Sequence, residues 1–582
     1  MNYNEMNILL FLANNKFINQ RDLVEKTGYS LGFVNKTLNK LLEDDFLDDN
    51  FNISNKAEGL LEVNKPKRAI ILAAGYGMRM VPINLESPKG LLEVRGEVLI
   101  ERIIKQLHQV DIKEIYIVVG FLKEKFEYLI DEYGVSLVVN EDYDKKNNLH
   151  SLNLLSDKIK NSYIIPSDIW TSKNLFNKNE LYSWYMVSNN MCDESDVRVN
   201  RNLNLIKTNN GDGNAMIGIS YLTGDEATIV EKRLNTYDIN KLYDYSFWEA
   251  TLYDNDRMII PARIIEENQA IELNTYEQLR ELDTNSNNLK SEAIDIIKEV
   301  FNVDDSDIKN ITVLKKGLTN KSFLFSCKEN EYIMRIPGKG SEKLINRKEE
   351  AEIYKMINGK GICDDVIYIN PDNGYKITKY FENSRVCEPY SPEDQRACMK
   401  KLKEFHDLKL KVDHEFDIFG KIDFYEKLWN GNKSVYKDYE ETKSKILSLR
   451  DYIERNVDYK CLSHIDSLAD NFLFTKDNEV RLIDWEYAST QDPHCDIAMF
   501  ILYNPYSREE VDRIIDYYFD GKCDKRIRLK IYCYISVCGF LWSNWCEYKM
   551  NIGADFGEYS LLQYRYAKNY YKIFMEEYDE GR

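Results

Sequence analysis

Positive charge is in short supply in this chain. Its 78 Lys and Arg face 97 Asp and Glu, a net charge of −19. General nucleic-acid binding needs clustered cations to neutralise phosphates, so the composition speaks against it. Small anionic substrates stay open, because a few local cations, backbone N–H groups and Mg²⁺ suffice for them. Paired cysteines are also missing. The 11 cysteines contain no C-x-x-C and are irregularly spaced, which excludes a zinc module or disulfide framework and fits reduced thiols. No run of about 18 apolar residues occurs, and Met1 leads into Asn2-Tyr3-Asn4-Glu5, not into a basic and then apolar leader. Neither membrane insertion nor secretion is expected, so the chain reads as cytoplasmic. Internal repeats and long low-complexity tracts are absent too. What is present is globular: 43% hydrophobic residues in a chain of 582, enough for several cores and about three to five domains.

Three segments follow one another, at 1–64, 66–284 and 290–582. The first reads as three helices and a hairpin wing. Ile8, Leu9, Phe11 and Leu12 form one stripe, Leu23 and Val24 a second, and Ser30 caps a third helix bearing Phe33, Val34, Leu38, Leu41 and Leu42. Phe46–Ile53 is the wing, and the whole resembles a winged helix-turn-helix domain. The second segment opens with the apolar run Ala69–Ala74, a buried parallel strand, then alternates helix (Leu99–Gln109) and strand (Ile115–Val119) as α/β folds do. Polar Thr284–Asn288 reads as a linker. Beyond it lie a β-rich lobe over Ile311–Ile336 and a mostly helical one.

The strand Ala69–Ala74 runs into Gly75-Tyr76-Gly77-Met78-Arg79, then Pro82 and Pro88-Lys89. Glycines after a strand let backbone N–H groups approach phosphates, and Arg79 and Lys89 can neutralise a triphosphate and the departing pyrophosphate. This string resembles the Rossmann-like nucleotidyltransferase family that makes nucleotide sugars and CDP-choline. Asn147-Asn148-Leu149-His150-Ser151-Leu152, Tyr163–Trp170, Phe247-Trp248-Glu249 and Ile271–Leu282 point to its choline-phosphate cytidylyltransferase branch. The resemblance implies a strand-end Asp168 on Mg²⁺ and a second ligand from Glu272-Leu273-Asn274, where the family's Asp is replaced by Asn274. Asn ligates through its carbonyl oxygen without adding charge. A quaternary ammonium is held by aromatic faces and a carboxylate, and Trp170, Tyr221 and Trp248 are the main candidates, with Tyr182 and Trp184.

The sharpest signal is His464-Ile465-Asp466, with Asn471 five residues past Asp466, followed by Leu482-Ile483-Asp484-Trp485. Asp466 can accept or orient the proton of an attacking hydroxyl, while Asn471 and Asp484 can hold Mg²⁺ across the phosphates. His464 is read as structural. Upstream, Gly317-Leu318-Thr319-Asn320 resembles a phosphate-covering hairpin. Arg335 stands where protein kinases carry a nucleotide-gripping Lys, paired with Glu350 or alternatively Glu349. Together these resemble the choline/ethanolamine kinase family within the aminoglycoside-phosphotransferase-like, two-lobed kinase fold; Asp492-Pro493 and Asp496 also fit it. The resemblance implies a choline cage from Trp542, Trp545 and Tyr548, which share a helix face; Trp485 is a further substrate-contact candidate.

The expected function is therefore bifunctional: ATP phosphorylates choline, and phosphocholine then reacts with CTP to give CDP-choline and pyrophosphate. The alternatives are ethanolamine or another amino alcohol as substrate, or a transcriptional regulator whose domains sense choline or CTP. Glu43-Asp44-Asp45 and Asp48-Asp49 crowd the wing with negative charge against Lys36 and Lys40, which favours a protein-contact or regulatory role over DNA binding. The sequence is silent on oligomeric state, and the choice of CTP over UTP rests on the resemblance.

Overall fold

The computed structural model describes the chain except residues 78–79, 84–86, 194, 196, 209–210, 315–319, 339–344, 522, 552–556 and 580–582. It divides into two compact units, Met1–Glu299 with Ile311–Val313, and Val300–Asn310 with Leu314–Arg582. The division falls near residue 300, not in the polar Thr284–Asn288 tract. That tract is bonded down within the first unit: Ser286 Oγ donates to Glu93 O (2.6 Å), Glu93 N to Asn288 Oδ1 (2.7 Å) and Tyr276 Oη to Leu289 O (3.2 Å).

Helices α1 (Tyr3–Asn14), α2 (Gln20–Thr27) and α3 (Leu31–Glu43) match the apolar stripes, with Asn2, Asn19 and Ser30 capping them. Instead of an extended wing there is one bridge, Leu47 to Ile53, closed by Asp48 Oδ1 accepting from Asn50 N and Asn52 N. A fourth helix, α4 (Asn55–Asn64), follows, capped by Ser54, in a stretch left unassigned from sequence. This helical segment shares a core with the rest of the unit through Leu181 and Tyr182. Lys40 is paired with Glu5 at 2.7 Å, so one of the two cations counted on α3 is already engaged.

The sheet of the first unit runs, edge to edge, Ser136–Val139, Glu114–Val119, Arg68–Ala73, Ser162–Pro166, Gly213–Leu222, Trp184–Cys192, Arg257–Ile265, Asn204–Lys207 and Val197–Val199. Arg68–Ala73 lies parallel between Glu114–Val119 and Ser162–Pro166. Ile70 and Ile71 are fully buried because both faces of this strand are covered, by Leu99–Gln109 on one side and Asn148–Asn153 on the other. A doubly wound sheet of this kind opens its ligand crevice beyond the carboxyl ends of its parallel strands. Gly75, Gly77 and Asp168 all lie there.

The second unit carries an antiparallel sheet containing Asn320–Cys327, Asn330–Pro337, Lys376–Lys379 and Val366–Ile369, with the helix Arg347–Ile357. Its larger part is helical. Lys525–Met550 is buried along almost its whole length and packs against His494–Leu502 and Glu558–Asp579. A helix apolar all round belongs inside a bundle. Among the described residues no helix is long and apolar enough to cross a membrane.

Candidate active sites

In the first unit the loop after Arg68–Ala73 brings Lys89 to two distant side chains. Lys89 Nζ donates to Asp168 Oδ2 (3.1 Å) and to Asn274 Oδ1 (2.8 Å). Asp168 lies just past the end of the strand Ser162–Pro166, and Leu273 N donates to Asp168 O at 2.9 Å, which locks Asn274 beside it. Gly77 makes this possible: its φ is +63°, and a Cβ there would stand 2.8 Å from Lys89 Cγ. At Gly75 a Cβ would meet nothing within 4 Å among the described residues. Arg79 lies outside the described residues. One carboxylate and one amide oxygen already share a cation, a donor set that suits a hard ion such as Mg²⁺.

The five aromatic candidates separate. Trp248 is buried against Tyr185, centroids 6.1 Å apart. Its neighbour Glu249 accepts from Tyr185 Oη at 3.0 Å, while Glu249 Oε2 is buried with no hydrogen-bond partner among the described residues. Burial, aided by the charge of Glu272, pushes the Glu249 carboxyl up to about 7. Glu272 thus faces the Glu249–Tyr185 pair, and its strand Ala270–Glu272 pairs with Ile169–Thr171 beside Asp168. Trp170 does not present a free face: Arg95 and Arg102 lie over its ring at 4.6 and 5.7 Å, and a second cation there would be repelled. Tyr221 is core, fully buried between Tyr163 and Trp184, with its hydroxyl bonded to Asn64 O. Trp184 stacks on Arg263 at 3.8 Å, and Tyr182 bonds Asn7. Glu249 was not a site candidate from sequence; its signal was an acid directly after Phe247-Trp248.

In the second unit Asn471 Nδ2 donates to Asp466 O (2.7 Å) and Oδ2 (3.2 Å), which turns its amide oxygen the other way. Burial, with Asp484 and Glu486 adding repulsion, raises Asp466 to about 8. Burial also raises Asp484, against the pull of Arg335 and Lys376. Asp484 holds a φ of +66°, an uncommon left-handed conformation for a non-glycine residue. The loop is hung from Asp496, whose carboxylate accepts from His464 N (2.7 Å), Ile465 N (2.8 Å) and His406 Nε2 (2.9 Å). His464 bonds Ile483 O at 3.0 Å, and burial depresses it to about 4, so the ring is neutral and structural.

Arg335 pairs with Glu350 through two bonds and donates to Gly374 O at 2.9 Å. Glu349 faces His414 instead, at 3.9 Å. Arg347, which sequence reasoning passed over, bonds Glu350 (2.8 Å), Glu486 (3.4 Å) and Asn320 Oδ1 (3.1 Å). Asn320 also donates to Glu486 at 2.9 Å. Asn320, expected to contact nucleotide, has its side chain bonded to Arg347 and Glu486. Thr319 lies outside the described residues. Trp485 is likewise corrected from substrate contact to core. It is fully buried, bonded to Leu482 O at 2.9 Å and packed edge-on against Phe405 and His464. Trp542 and Trp545 meet edge-to-face at 5.8 Å, and Tyr487 caps Trp542 at 6.0 Å. Burial raises the Tyr425 and Tyr487 hydroxyls, with the Asp466 charge adding to both and Tyr548 adding to the first. Tyr487, which meets Trp542, thus lies within reach of the Asp466 charge.

The first unit is a Rossmann-like nucleotidyltransferase and the second a kinase-like phosphotransferase. A family model for the MobA-like NTP transferase domain matches residues 69–168, and one for choline/ethanolamine kinase matches residues 311–516. The choline-phosphate cytidylyltransferase of Streptococcus pneumoniae is 32% identical over 235 residues, covering 37% of this chain and 96% of that protein. The 2-aminoethylphosphonate cytidylyltransferase of Lancefieldella rimae is 30% identical over 227 residues, 37% of this chain and 91% of that one. The crystal structure of choline kinase LicA from Streptococcus pneumoniae shares 27% identity, covers 49% of this chain and 100% of its own, and has a TM-score of 0.43. Through its first unit the chain belongs to the choline-phosphate cytidylyltransferase family, and its second unit carries a choline/ethanolamine kinase domain.

Proposed function

We propose that this cytoplasmic chain makes CDP-choline in two consecutive steps. In the second unit the choline hydroxyl attacks the γ-phosphorus of ATP, Asp466 takes the hydroxyl proton, and ADP leaves with the broken P–O bond. In the first unit a phosphocholine oxygen attacks the α-phosphorus of CTP, the bond to the β-phosphate breaks, and pyrophosphate leaves. Lys89 stabilises the charge that develops, joined by Arg79. Asn471 and Asp484 in one unit, and Asp168 and Asn274 in the other, would hold Mg²⁺, which supplies further charge stabilisation when bound. Trp248, Glu249 and Tyr185 take the quaternary ammonium in the transferase, and Trp542, Trp545 and Tyr548 do so in the kinase. The observation that carries the reading is the meeting of Lys89, Asp168 and Asn274, drawn from positions 185 residues apart, at the strand ends. The N-terminal helices are read as a winged-helix element of regulatory or protein-contact role.

One observation favours a second substrate. The bare Oε2 of Glu249 can accept a hydrogen bond from a primary ammonium, which ethanolamine phosphate or 2-aminoethylphosphonate would offer and choline does not. A panel of phosphocholine, phosphoethanolamine and 2-aminoethylphosphonate, each with CTP or UTP, decides between them. The proposal expects phosphocholine with CTP to give the highest kcat/KM. A primary-amine substrate at tenfold higher kcat/KM overturns the choline assignment.

A further inference from the structure

Two adjacent asparagines strap down a segment a hundred residues away. Asn148 Oδ1 accepts from Trp248 N at 2.8 Å. Asn147 N donates to Asp244 O (2.7 Å) and Asn147 Nδ2 to Tyr245 O (3.1 Å), while Asn147 Oδ1 accepts from Asn148 N (2.7 Å). The same stretch grips the segment's start: His150 Nδ1 meets Asp238 Oδ1 at 2.7 Å, Asn153 Nδ2 donates to Asp238 Oδ2 at 3.0 Å, and Lys146 Nζ donates to Asp238 O at 3.0 Å. Beyond Trp248, Arg233 Nη1 donates to Thr251 O and Tyr253 O, both at 2.9 Å. Glu249 therefore sits on backbone fixed on both sides, with one oxygen on Tyr185 and the other buried and without a partner among the described residues.

We infer that Asn148 is a positioning residue that sets Glu249 for the ammonium end of the acceptor, and so governs acceptor affinity without touching the nucleotide. The inference rests on the reading of this unit as a phosphocholine cytidylyltransferase. A quaternary ammonium has no N–H to anchor it, so its attraction to a carboxylate depends on where the carboxylate is held. The Asn148 bond is made to the backbone of the residue before Glu249, where an untethered chain would let that carboxylate drift. A misplacement of about 1 Å at such a site costs up to about a hundredfold.

The test uses the full chain with Asn148→Leu, which removes the acceptor at similar size, and Asn148→Asp, which keeps an oxygen for Trp248 N. Asn148→Leu is expected to raise KM for phosphocholine about ten- to a hundredfold, leaving KM for CTP and the kinase step within about twofold. Asn148→Asp is expected to restore KM. If both KM values rise together, if kcat alone falls, or if Asn148→Asp fails to rescue, the positioning role is overturned. If the unsubstituted chain forms no CDP-choline from phosphocholine and CTP while its kinase step is intact, the cytidylyltransferase reading falls and takes this inference with it.

Discussion

Replacing Glu350 with Gln isolates the ion cluster beneath the kinase phosphate site. Glu350 is fully buried and accepts from Arg335 and Arg347 together. Burial alone would push its carboxyl up; the charge of Arg335, the Arg335 bonds, Lys376 and Arg347 overcome this and hold it at about 2 against an ordinary 4.5. That difference corresponds to about 3 kcal/mol of preference for the carboxylate. Glu350→Gln keeps the shape but leaves two buried guanidiniums facing an amide, and breaking one side of a buried pair costs about 3–5 kcal/mol. Exchange of backbone amides in Asn330–Pro337 and Arg347–Ile357 should therefore quicken on the order of a hundredfold or more. Hydrogen exchange read by mass spectrometry measures it, with the first unit's strands as an internal reference. A carboxyl held below its unfolded value stabilises fully above about pH 4.5 and loses that effect as pH falls toward 2. The gap between the two proteins should be constant at neutral pH and close in acid. Unchanged protection at pH 7 would refute the reasoning.

Asn274→Asp sets a second carboxylate opposite Asp168 across Lys89. It should lower the Mg²⁺ concentration for half-maximal CDP-choline formation several-fold and tighten Mn²⁺ binding seen by electron paramagnetic resonance; an unchanged midpoint counts against the metal assignment. Asp466, raised to about 8, accepts a proton only when ionised. At low Mg²⁺, kcat/KM for choline should climb as pH rises through about 8, and saturating Mg²⁺ should move that limb to lower pH; a flat profile from pH 6 to 9 contradicts the proton-acceptor role. Trp545→Ala should raise KM for choline at least tenfold with KM for ATP unchanged, whereas Tyr221→Phe should alter neither KM of the transferase and cost about 1 kcal/mol from its lost bond to Asn64.

Much of the catalytic framework was legible because it depends on local spacing. Asp466 and Asn471 share a loop, and the Gly75–Lys89 string follows a strand whose apolar run declares it buried. The partner of Arg335 could be narrowed to two adjacent acids, Glu350 and Glu349; of these Glu350 bonds it, while Glu349 faces His414. What escaped was set by long-range closure. Arg347 and Glu486 are ordinary charges in sequence, 139 positions apart, and nothing local says they share Asn320. Aromatic residues misled most. Trp485, Tyr221 and Trp170 fit a cage by type, but packing gave two of them to the core and the third to arginines. The helix α4 was passed over although Ser54 can cap it and Ala57, Leu60 and Leu61 stand at helical spacing. The polar tract at Thr284–Asn288 reads as a linker by composition and is a bonded turn by partner.

The central claim is that one chain carries choline to CDP-choline, and one measurement addresses it. Isotopically labelled choline is incubated with the full chain, ATP, CTP and Mg²⁺, and the label is followed by mass spectrometry, beside the Asp466→Ala and Asp168→Ala variants. The account predicts label in phosphocholine and then CDP-choline, no phosphorylation in the first variant, and phosphocholine accumulating in the second. Label that remains in choline, or stops at phosphocholine in the unsubstituted chain, would contradict it.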